Sequence, residues 1–419
     1  MKSSRNYPLL LTSQFLGALG DNAILAIILG PVMKSFAEGK ISSQDQSVAN
    51  IVYTSLLFIP YLLFASLAGY MNDRFPKTCW LAAGNAVKLA GTALVATHMA
   101  SGEWALAAGY FIVGIGACFY SPAKYGILPE IVPTERLVKA NGMVELLTLV
   151  AILFGSIAGS VVADAVNKGN LSSLGAYGIV CSIYGLSLAL NLCMDRTPSY
   201  PEVQFRGSTG EFFRNFGHLF HSARLRRVLV GTGLFWICGA LLKMNFQPWG
   251  QQVLKLETMT QVALLGLWLS LGVMAGSVLA GQLHKVGDLR TTRRYGAFLA
   301  VAIALLGAVQ WLTGVGLPWP KSFAIGVLII AGLFAGLFLI PLNAALQAES
   351  HQDKLGKTIA TQNFIENTAM LAAGVFAWIN VKKGFDPSQL FYCLAVLVAV
   401  VVAWLRIPEK DVSPVTANL

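Results

Sequence analysis

Residues 114–128 read GIGACFYSPAKYGIL, and residues 331–347 read AGLFAGLFLIPLNAALQ. Both stretches are apolar, and each carries a proline, Pro122 in the first and Pro341 in the second. A match between two distant apolar segments indicates an internal repeat, which is typical of membrane transporters. These two stretches therefore predict a chain made of two copies of one helical unit, and two such copies usually enclose a central path.

Composition indicates that the protein spans a membrane. Hydrophobic residues make up 55% of its 419 residues and charged residues 12%, whereas soluble domains carry about 25% charged residues. Twelve apolar runs approach or exceed the length of about 20 residues that a bilayer crossing needs. They lie near residues 8–33, 48–72, 78–99, 104–124, 140–166, 174–195, 226–250, 260–284, 295–314, 321–346, 358–381 and 388–406. We therefore predict an all-α membrane protein with twelve transmembrane helices in two pseudo-symmetric six-helix bundles.

The repeat sets the predicted domain boundaries. Residues 1–195 would form the N-terminal six-helix bundle, residues 196–225 a cytoplasmic linker, and residues 226–419 the C-terminal bundle with a short tail. Within the linker, Phe and Leu residues recur at helical spacing among Arg and His residues. This pattern predicts a short amphipathic helix at the membrane surface. Two interpretations of that helix stay open, a positively charged tether and a regulatory lipid contact.

The basic residues predict the orientation in the membrane. Most of the 30 Lys and Arg residues lie at the chain ends and in the loops after even-numbered spans, so we expect both termini in the cytoplasm. The net charge of +10 does not indicate a nucleic-acid partner, because these residues do not share one soluble face. The six cysteines lack metal-binding spacing, so we expect no metal or other cofactor.

A charged motif follows the second predicted span, where residues 69–77 read GYMNDRFPK. Gly69 would permit close helix approach, and the Asp73 carboxylate can pair with an Arg or with the positive N-terminus of a helix. The motif resembles the loop signature of the major facilitator superfamily. The resemblance implies a gating latch on the cytoplasmic side, built from Gly69, Asp73, Arg74 and Lys77.

Several stretches extend this resemblance over nearly the whole chain. They are QFLGALGDNAIL (14–25), GNAVKLAG (84–91), YSPAKYGILPEIV and LVKANGMVE within 120–145, and IPLNAALQ and TQNFIENTAML within 340–371. Together they are similar to the bacterial lysophospholipid transporters. The resemblance implies a major facilitator fold that moves lysophospholipids, chiefly lysophosphatidylethanolamine, from the outer to the inner leaflet of the bacterial inner membrane. It also implies an acyltransferase as functional partner on the cytoplasmic side, and we expect a monomer in contact with membrane lipids.

Two charged residues within spans are the main substrate-binding candidates. Asp21 lies near the middle of span 1, and Lys243 lies at a matching depth in span 7, its repeat mate. A charge near the centre of a span costs about 2.5–3.5 kcal/mol, so such residues tend to face a wet cavity or a partner. We predict that Asp21 attracts the ammonium of a lysophosphatidylethanolamine and Lys243 its phosphate, with hydrogen bonds from Asn22 and Gln14. A structural Asp21–Lys243 salt bridge is the alternative.

The ends of spans 4 and 5 hold a second pair of candidates, Lys124 and Glu145, on the predicted cytoplasmic side. These residues would form either a clamp that holds the loop or a release station for the headgroup. Asn343 and Glu366 hold the equivalent positions in the second half of the chain, and Glu366 would alternatively meet Lys124 across the gate.

Two residues of the first half complete the candidate set. Lys88, within span 3, is either a packing partner or a substrate contact, and Tyr120 is a further substrate-binding candidate. Glycines in spans 5, 8 and 11 predict close or movable helix seams. These glycines are Gly155, Gly159, Gly272, Gly276 and Gly374.

Other function classes fit the sequence less well. A membrane acyltransferase would pair a His with a nearby Asp as base and orienting group, whereas His98 is followed by Glu103 in an outer loop. We therefore do not expect an enzyme. A proton-coupled transporter of drugs or small solutes with the same fold is the alternative, because acidic and basic residues within spans also suit proton coupling.

Overall fold

The computed structural model describes residues 5–133, 137–201, 219–284, 289–316, 318–349 and 355–407, with linker residues 207, 210, 214, 216 and 217. These residues form α-helices and short connections and contain no β-strand. Twelve helical segments are long and apolar enough to span a membrane. The predicted all-α membrane fold with twelve spans is therefore confirmed.

The helices in this part of the chain are numbered in chain order. Their bounds are α1 Asn6–Ala37, α2 Ser43–Leu56, α3 Ile59–Arg74, α4 Lys77–Ala96, α5 His98–Ser101, α6 Glu103–Gly126, α7 Leu128–Ile131, α8 Leu137–Asn167, α9 Ser173–Leu192, α10 Ala223–Gln252, α11 Met259–Leu283, α12 Thr292–Gly314, α13 Pro320–Glu349, α14 Leu355–Lys382 and α15 Pro387–Trp404. Each of these helices is a separate span, except that α2 and α3 together form one and the short α5 and α7 form none.

Local sequence explains where the second span begins and where it breaks. Ser42 and Asp45 form a capping box at the start of α2, in which each side chain accepts a hydrogen bond from the backbone N–H of the other residue. The span is divided after Leu56, and α3 begins just before Pro60. Proline has no N–H to donate to the preceding turn and its ring crowds that turn, which favours a helix break there.

Contacts divide the chain into two compact units, and the first is called unit 1. It comprises Met1–Phe212, Gly239–Leu267 and Asn367–Leu390. Within it, α1 packs on α8 and α9, and α4 packs on α6 and α9. The α4–α6 contact is close because glycines face each other: a Cβ on Gly91 would lie 2.6 Å from the carbonyl oxygen of Gly109. Unit 1 therefore joins the first six spans to parts of α10, α11, α14 and α15.

Unit 2 comprises Phe213–Cys238, Trp268–Glu366 and Phe391–Leu419. Within it, α12 packs on α13, and α11 crosses α13 where glycines remove the side chains between the two backbones. These two units are defined by which residues contact each other, whereas the predicted domain boundaries were placed from the internal sequence repeat. The two-bundle division with a linker at 196–225 stays a prediction.

Part of the predicted amphipathic helix belongs to unit 2. Phe216 stacks on Phe220 with ring centroids 4.6 Å apart, and it meets Phe364 of α14 edge-on at 6.2 Å. Leu219 is buried. This part of the apolar stripe therefore packs against protein. Phe212, Phe213 and His218 lie outside the described residues.

Candidate functional site

Asp21 lies on α1 and is held by two neighbouring helices. The Lys88 ammonium on α4 lies 2.7 Å from Asp21 Oδ2, and the Tyr184 hydroxyl on α9 donates a hydrogen bond of 2.7 Å to Oδ1. The Lys88 side chain is 2% exposed and that of Asp21 is 16% exposed. The carboxylate is therefore neutralised by a buried partner but keeps an accessible edge. Of the two interpretations of Lys88, this geometry favours the packing partner.

Small residues on α1 and α8 make this arrangement possible. A Cβ on Gly20 would lie 2.8 Å from the Tyr184 ring, so glycine lets the ring cover α1 next to Asp21. On the other side of α1, a Cβ on Gly155 or Gly159 of α8 would overlap the α1 backbone at Leu19 and Ala23. These two predicted seam glycines therefore bring α8 against the turn of α1 that carries the acid.

Lys243 lies beside the same turn of α1. Its ammonium donates a hydrogen bond of 3.0 Å to Oδ1 of Asn22, and Asn22 Nδ2 in turn donates to the carbonyl oxygen of Ala18 at 2.9 Å. Lys243 is exposed, although its neighbours along α10 from Ala240 to Gly250 are otherwise buried. Its side chain therefore faces open space rather than packed protein. The alternative interpretation predicted a salt bridge between Asp21 and Lys243. In the structure, Asp21 instead forms its ion pair with Lys88.

Two other polar candidates, Gln14 on α1 and Lys124 on α6, meet at a hydroxyl group of α8. The Thr148 hydroxyl lies 3.0 Å from Oε1 of Gln14, and the Lys124 ammonium lies 3.4 Å from that hydroxyl. Gln14 also donates to the Val144 carbonyl oxygen at 3.4 Å. Sequence reasoning did not identify Thr148. The predicted Lys124–Glu145 pair is not tested, because the Glu145 side chain lies outside the described part of the structure.

Tyr120 contributes to the site from α6. Its ring centroid lies 5.1 Å from the Lys88 ammonium, and the Tyr184 centroid lies 5.7 Å from it. A cation at such distances from aromatic faces is stabilised by the ring quadrupole. The Tyr120 hydroxyl lies 3.4 Å from that of Ser13 on α1. Tyr120 is buried, and the contacts described for it are with Lys88 and with α1.

The candidates from the second half of the chain form a separate group in unit 2. The Gln362 amide donates to Oδ1 of Asn343 at 2.9 Å and to Oε1 of Glu366 at 2.7 Å. Glu366 is buried. The structure therefore joins Asn343 to Glu366 through Gln362, a residue that sequence reasoning missed. Gln362 lies four residues before Glu366, and side chains at this spacing are neighbours on a helix, so the sequence could have identified it as a partner of Glu366.

The motif at 69–77 contacts a partner that was not predicted. The Lys77 ammonium lies 2.5 Å from Oε1 of Glu130 on α7. The Arg74 guanidinium lies about 6 Å from the ring centroids of Tyr70 and Phe75, and Asp73 also has an interaction partner. The close helix approach predicted at Gly69 is not seen among the described residues, where a Cβ would meet no atom within 4 Å.

A layer of polar contacts lies in unit 1 at the end where α1 stops and α2 starts. Asp164 of α8 accepts hydrogen bonds from the backbone N–H groups of Met259 and Thr260, at 2.7 and 3.0 Å, and from the Thr260 hydroxyl at 2.6 Å. A carboxylate at a helix N-terminus satisfies unpaired N–H groups and the helix dipole. Asp164 thus fastens the first turn of α11 to α8.

The same layer continues between α2 and α10. Gln46 donates to Oε1 of Gln251 at 2.6 Å, and Ser43 donates to Oε1 of Gln252 at 3.0 Å. Gln247 and Gln251 donate to carbonyl oxygens of α1. Sequence reasoning missed this layer because its residues are mostly neutral amides near helix ends.

Comparisons with known proteins agree with this architecture. Residues 10–374 match the family profile of the Major Facilitator Superfamily. The lysophospholipid transporter LplT of Enterobacter sp. (strain 638) is 32% identical over 403 residues, which cover 95% of this chain and 94% of that protein. The lysophospholipid transporter LplT of Klebsiella pneumoniae (strain 342) is 32% identical over 397 residues, which cover 94% of this chain and 93% of that protein.

Solved structures resemble the chain in fold. A POT family peptide transporter in an auto-inhibited state superposes with a TM-score of 0.71 at 16% identity, covering 99% of both chains. A D-xylose–proton symporter gives a TM-score of 0.70 at 17% identity, covering 97% of this chain and 99% of that one. The family match, the relatives and the twelve-span fold agree, and the chain belongs to the major facilitator superfamily and, within it, to the LplT family of lysophospholipid transporters.

Proposed function

We propose that this protein moves lysophosphatidylethanolamine and related lysolipids from the outer to the inner leaflet of the bacterial inner membrane by alternating access. On the inner side an acyltransferase would restore the missing chain. The observation that carries the proposal is the exposed Lys243 ammonium beside Asn22 and Asp21 at membrane depth. The membership of the LplT family supports the choice of lysolipids as the substrate class.

The headgroup chemistry matches this turn of α1. A lysophosphatidylethanolamine head carries one phosphate and one ammonium group. The Lys243 ammonium is a compact positive charge suited to the phosphate, and Asn22 already accepts its hydrogen bond. The accessible edge of the Asp21 carboxylate, on the adjacent residue, is the acidic group available to the substrate ammonium.

Other candidates would contact the headgroup before or after this position. Gln14, Thr148 and Lys124 form a polar track along unit 1, and we propose that it receives the headgroup on its way to the cytoplasmic side. The Asn343–Gln362–Glu366 group would serve the same purpose in unit 2. We propose that Gly69, Asp73, Arg74 and Lys77 gate the cytoplasmic side. We further propose cytoplasmic termini and a monomer.

Leaflet-resolved flipping of a labelled lysophosphatidylethanolamine in proteoliposomes tests the proposal. Asp21→Asn and Lys243→Ala should each lower the initial flipping rate by about tenfold or more, since removing one partner of a desolvated charged contact costs about 2–5 kcal/mol. Lys321→Ala, which removes an exposed lysine at the start of α13, is the matched control and should leave the rate unchanged. Near-normal flipping in both site variants, at equal expression, would contradict the headgroup role.

The same vesicles test the alternative function. A proton-coupled transporter of drugs or small solutes would also use a membrane-depth acid next to a lysine, as Asp21 and Lys88 provide. Such a protein would accumulate a cationic dye under an imposed pH gradient and would leave the lysolipid distribution as it is in protein-free vesicles. Lysolipid flipping without dye accumulation supports the proposed function.

A further inference from the structure

Lys88 holds an unusual position for a charged residue in a membrane helix. Its side chain is almost fully buried, its ammonium contacts Asp21 at 2.7 Å, and the rings of Tyr120 and Tyr184 flank it. A carboxylate with two aromatic faces is the kind of environment that binds an ammonium ligand. In this structure the ammonium in that environment belongs to the protein itself.

The Lys88 side chain is fixed in this position. A Cβ on Gly116 of α6 would lie 2.7 Å from Lys88 Cγ, so the stem of the lysine rests against the α6 backbone. Three residues earlier on α4, Asn85 donates to the Ser187 hydroxyl at 2.7 Å, and Ser187 donates to the Ser13 carbonyl oxygen of α1 at 2.7 Å. These hydrogen bonds join α1, α4 and α9 around the Lys88–Asp21 pair.

The charged side chains within the spans of unit 1 determine which part of a headgroup the site attracts more strongly. In the described part of unit 1, the charged side chains near the middle of spans are Asp21, Lys88 and Lys243. Asp21 and Lys88 form an ion pair, so the three groups together carry one net positive charge, and Lys243, whose ammonium donates to the neutral Asn22 amide, is its exposed part. A substrate phosphate therefore meets a full positive charge, whereas a substrate ammonium meets a carboxylate that already has a partner.

We infer that Lys88 is a specificity-determining residue. By neutralising Asp21 from the buried side, it weakens the attraction of the site for the substrate ammonium relative to its attraction for the phosphate. Lys88 touches no substrate and acts through Asp21. The inference rests on the proposed function and deepens it, because it names which part of the headgroup the site recognises more strongly.

A series of charge variants tests this role. Two lysolipids with the same acyl chain are compared in proteoliposomes, one with the zwitterionic ethanolamine head and one with the anionic glycerol head. The measured quantity is the ratio of their initial flipping rates, ethanolamine over glycerol. The variants are Lys88→Gln, Lys88→Arg, Asp21→Asn and the double variant Asp21→Asn with Lys88→Gln.

The inference predicts an order of ratios. Lys88→Gln frees the Asp21 charge and should raise the ratio about tenfold, between the effects of exposed and buried charge pairs. Asp21→Asn leaves Lys88 unneutralised and should give the lowest ratio. The double variant restores the original net charge and should lie between the two single variants, and Lys88→Arg should match the unmodified protein.

Folding of each variant is checked by size-exclusion chromatography in detergent. If Lys88→Gln does not fold, Lys88→Met, a neutral side chain that keeps the apolar stem, takes its place. A ratio in the folded neutral variant no higher than that of the unmodified protein would overturn the inference, and so would an equally large rise when Lys88 is neutralised in the Asp21→Asn background, where there is no carboxylate to free. Failure of the proposed function looks different, because the unmodified protein would then flip neither lysolipid faster than protein-free vesicles.

Discussion

At the scale of single residues, Tyr184 fixes the acid of the site through one hydrogen bond. Its hydroxyl donates to Asp21 Oδ1, and hydrogen bonds to charged groups contribute about 1.5–3 kcal/mol. Tyr184→Phe should therefore lower the thermal unfolding midpoint in detergent and slow lysolipid flipping. Both effects follow because the carboxylate loses one of the two groups that orient it.

Tyr110 provides the matched control for this substitution. It is also a fully buried tyrosine, but its hydroxyl has no hydrogen-bond partner among the described residues. Removing an unpaired buried hydroxyl is neutral or stabilising. Tyr110→Phe should therefore leave both the midpoint and flipping at or above those of the unmodified protein. Equal losses in the two variants would show that Tyr184 acts only through general packing.

The residues of the site differ in how far the sequence could predict them. Asp21 and Lys243 could be predicted as candidates because a charge in an apolar run stands out. The partner of Asp21 could not be predicted, because it depends on which face of α4 turns toward α1. Tyr184 gave no signal of its own, since an uncharged tyrosine suits many positions in a membrane helix. Its one local correlate is Gly20, which lies under its ring.

At the scale of helices, two pairs of glycines set the crossing of α11 and α13 in unit 2. Gly272 and Gly276 on α11 face Gly332 and Gly336 on α13, and a Cβ on any of them would overlap the backbone of the other helix. The four-residue spacing permits close backbone approach between membrane helices. The spacing is visible in the sequence of both helices, whereas the pairing of α11 with α13 required the packing to be known.

Gly276→Ala tests this crossing. The added methyl group would meet the carbonyl group of Leu333, and overpacking of this kind costs about 1–3 kcal/mol. We expect a lower unfolding midpoint in detergent. Gly281→Ala, on the same helix, has open space around the new methyl group and should be neutral or slightly stabilising, because alanine is favoured over glycine within helices by about 1 kcal/mol. A midpoint unchanged in both variants would contradict a tight crossing.

At the scale of the whole molecule, the number of spans could be predicted from length and apolar content alone, because the bilayer fixes both. The polar layer of unit 1 could not be predicted from the sequence. It joins α8 to α11 through Asp164 and α2 to α10 through glutamines, and these residues are far apart in sequence. Such a layer leaves no periodic pattern along the chain, since each helix contributes only one or two residues near its end.

The proposed alternating access predicts that this polar layer separates during each transport cycle. Ser43 on α2 and Gln252 on α10 are hydrogen-bonded within it, so cysteines at both positions, in a background without the six native cysteines, should be joined by a short bifunctional thiol reagent. We expect the cross-link to stop lysolipid flipping and a reductant to restore it. A cross-link between cysteines at Asn6 and Asp195, which are hydrogen-bonded to each other, should leave flipping intact, because both residues belong to the predicted N-terminal bundle of residues 1–195. Undiminished flipping with Ser43 and Gln252 positions joined would mean that α2 and α10 never part, and that lysolipids cross by a route that leaves this layer closed.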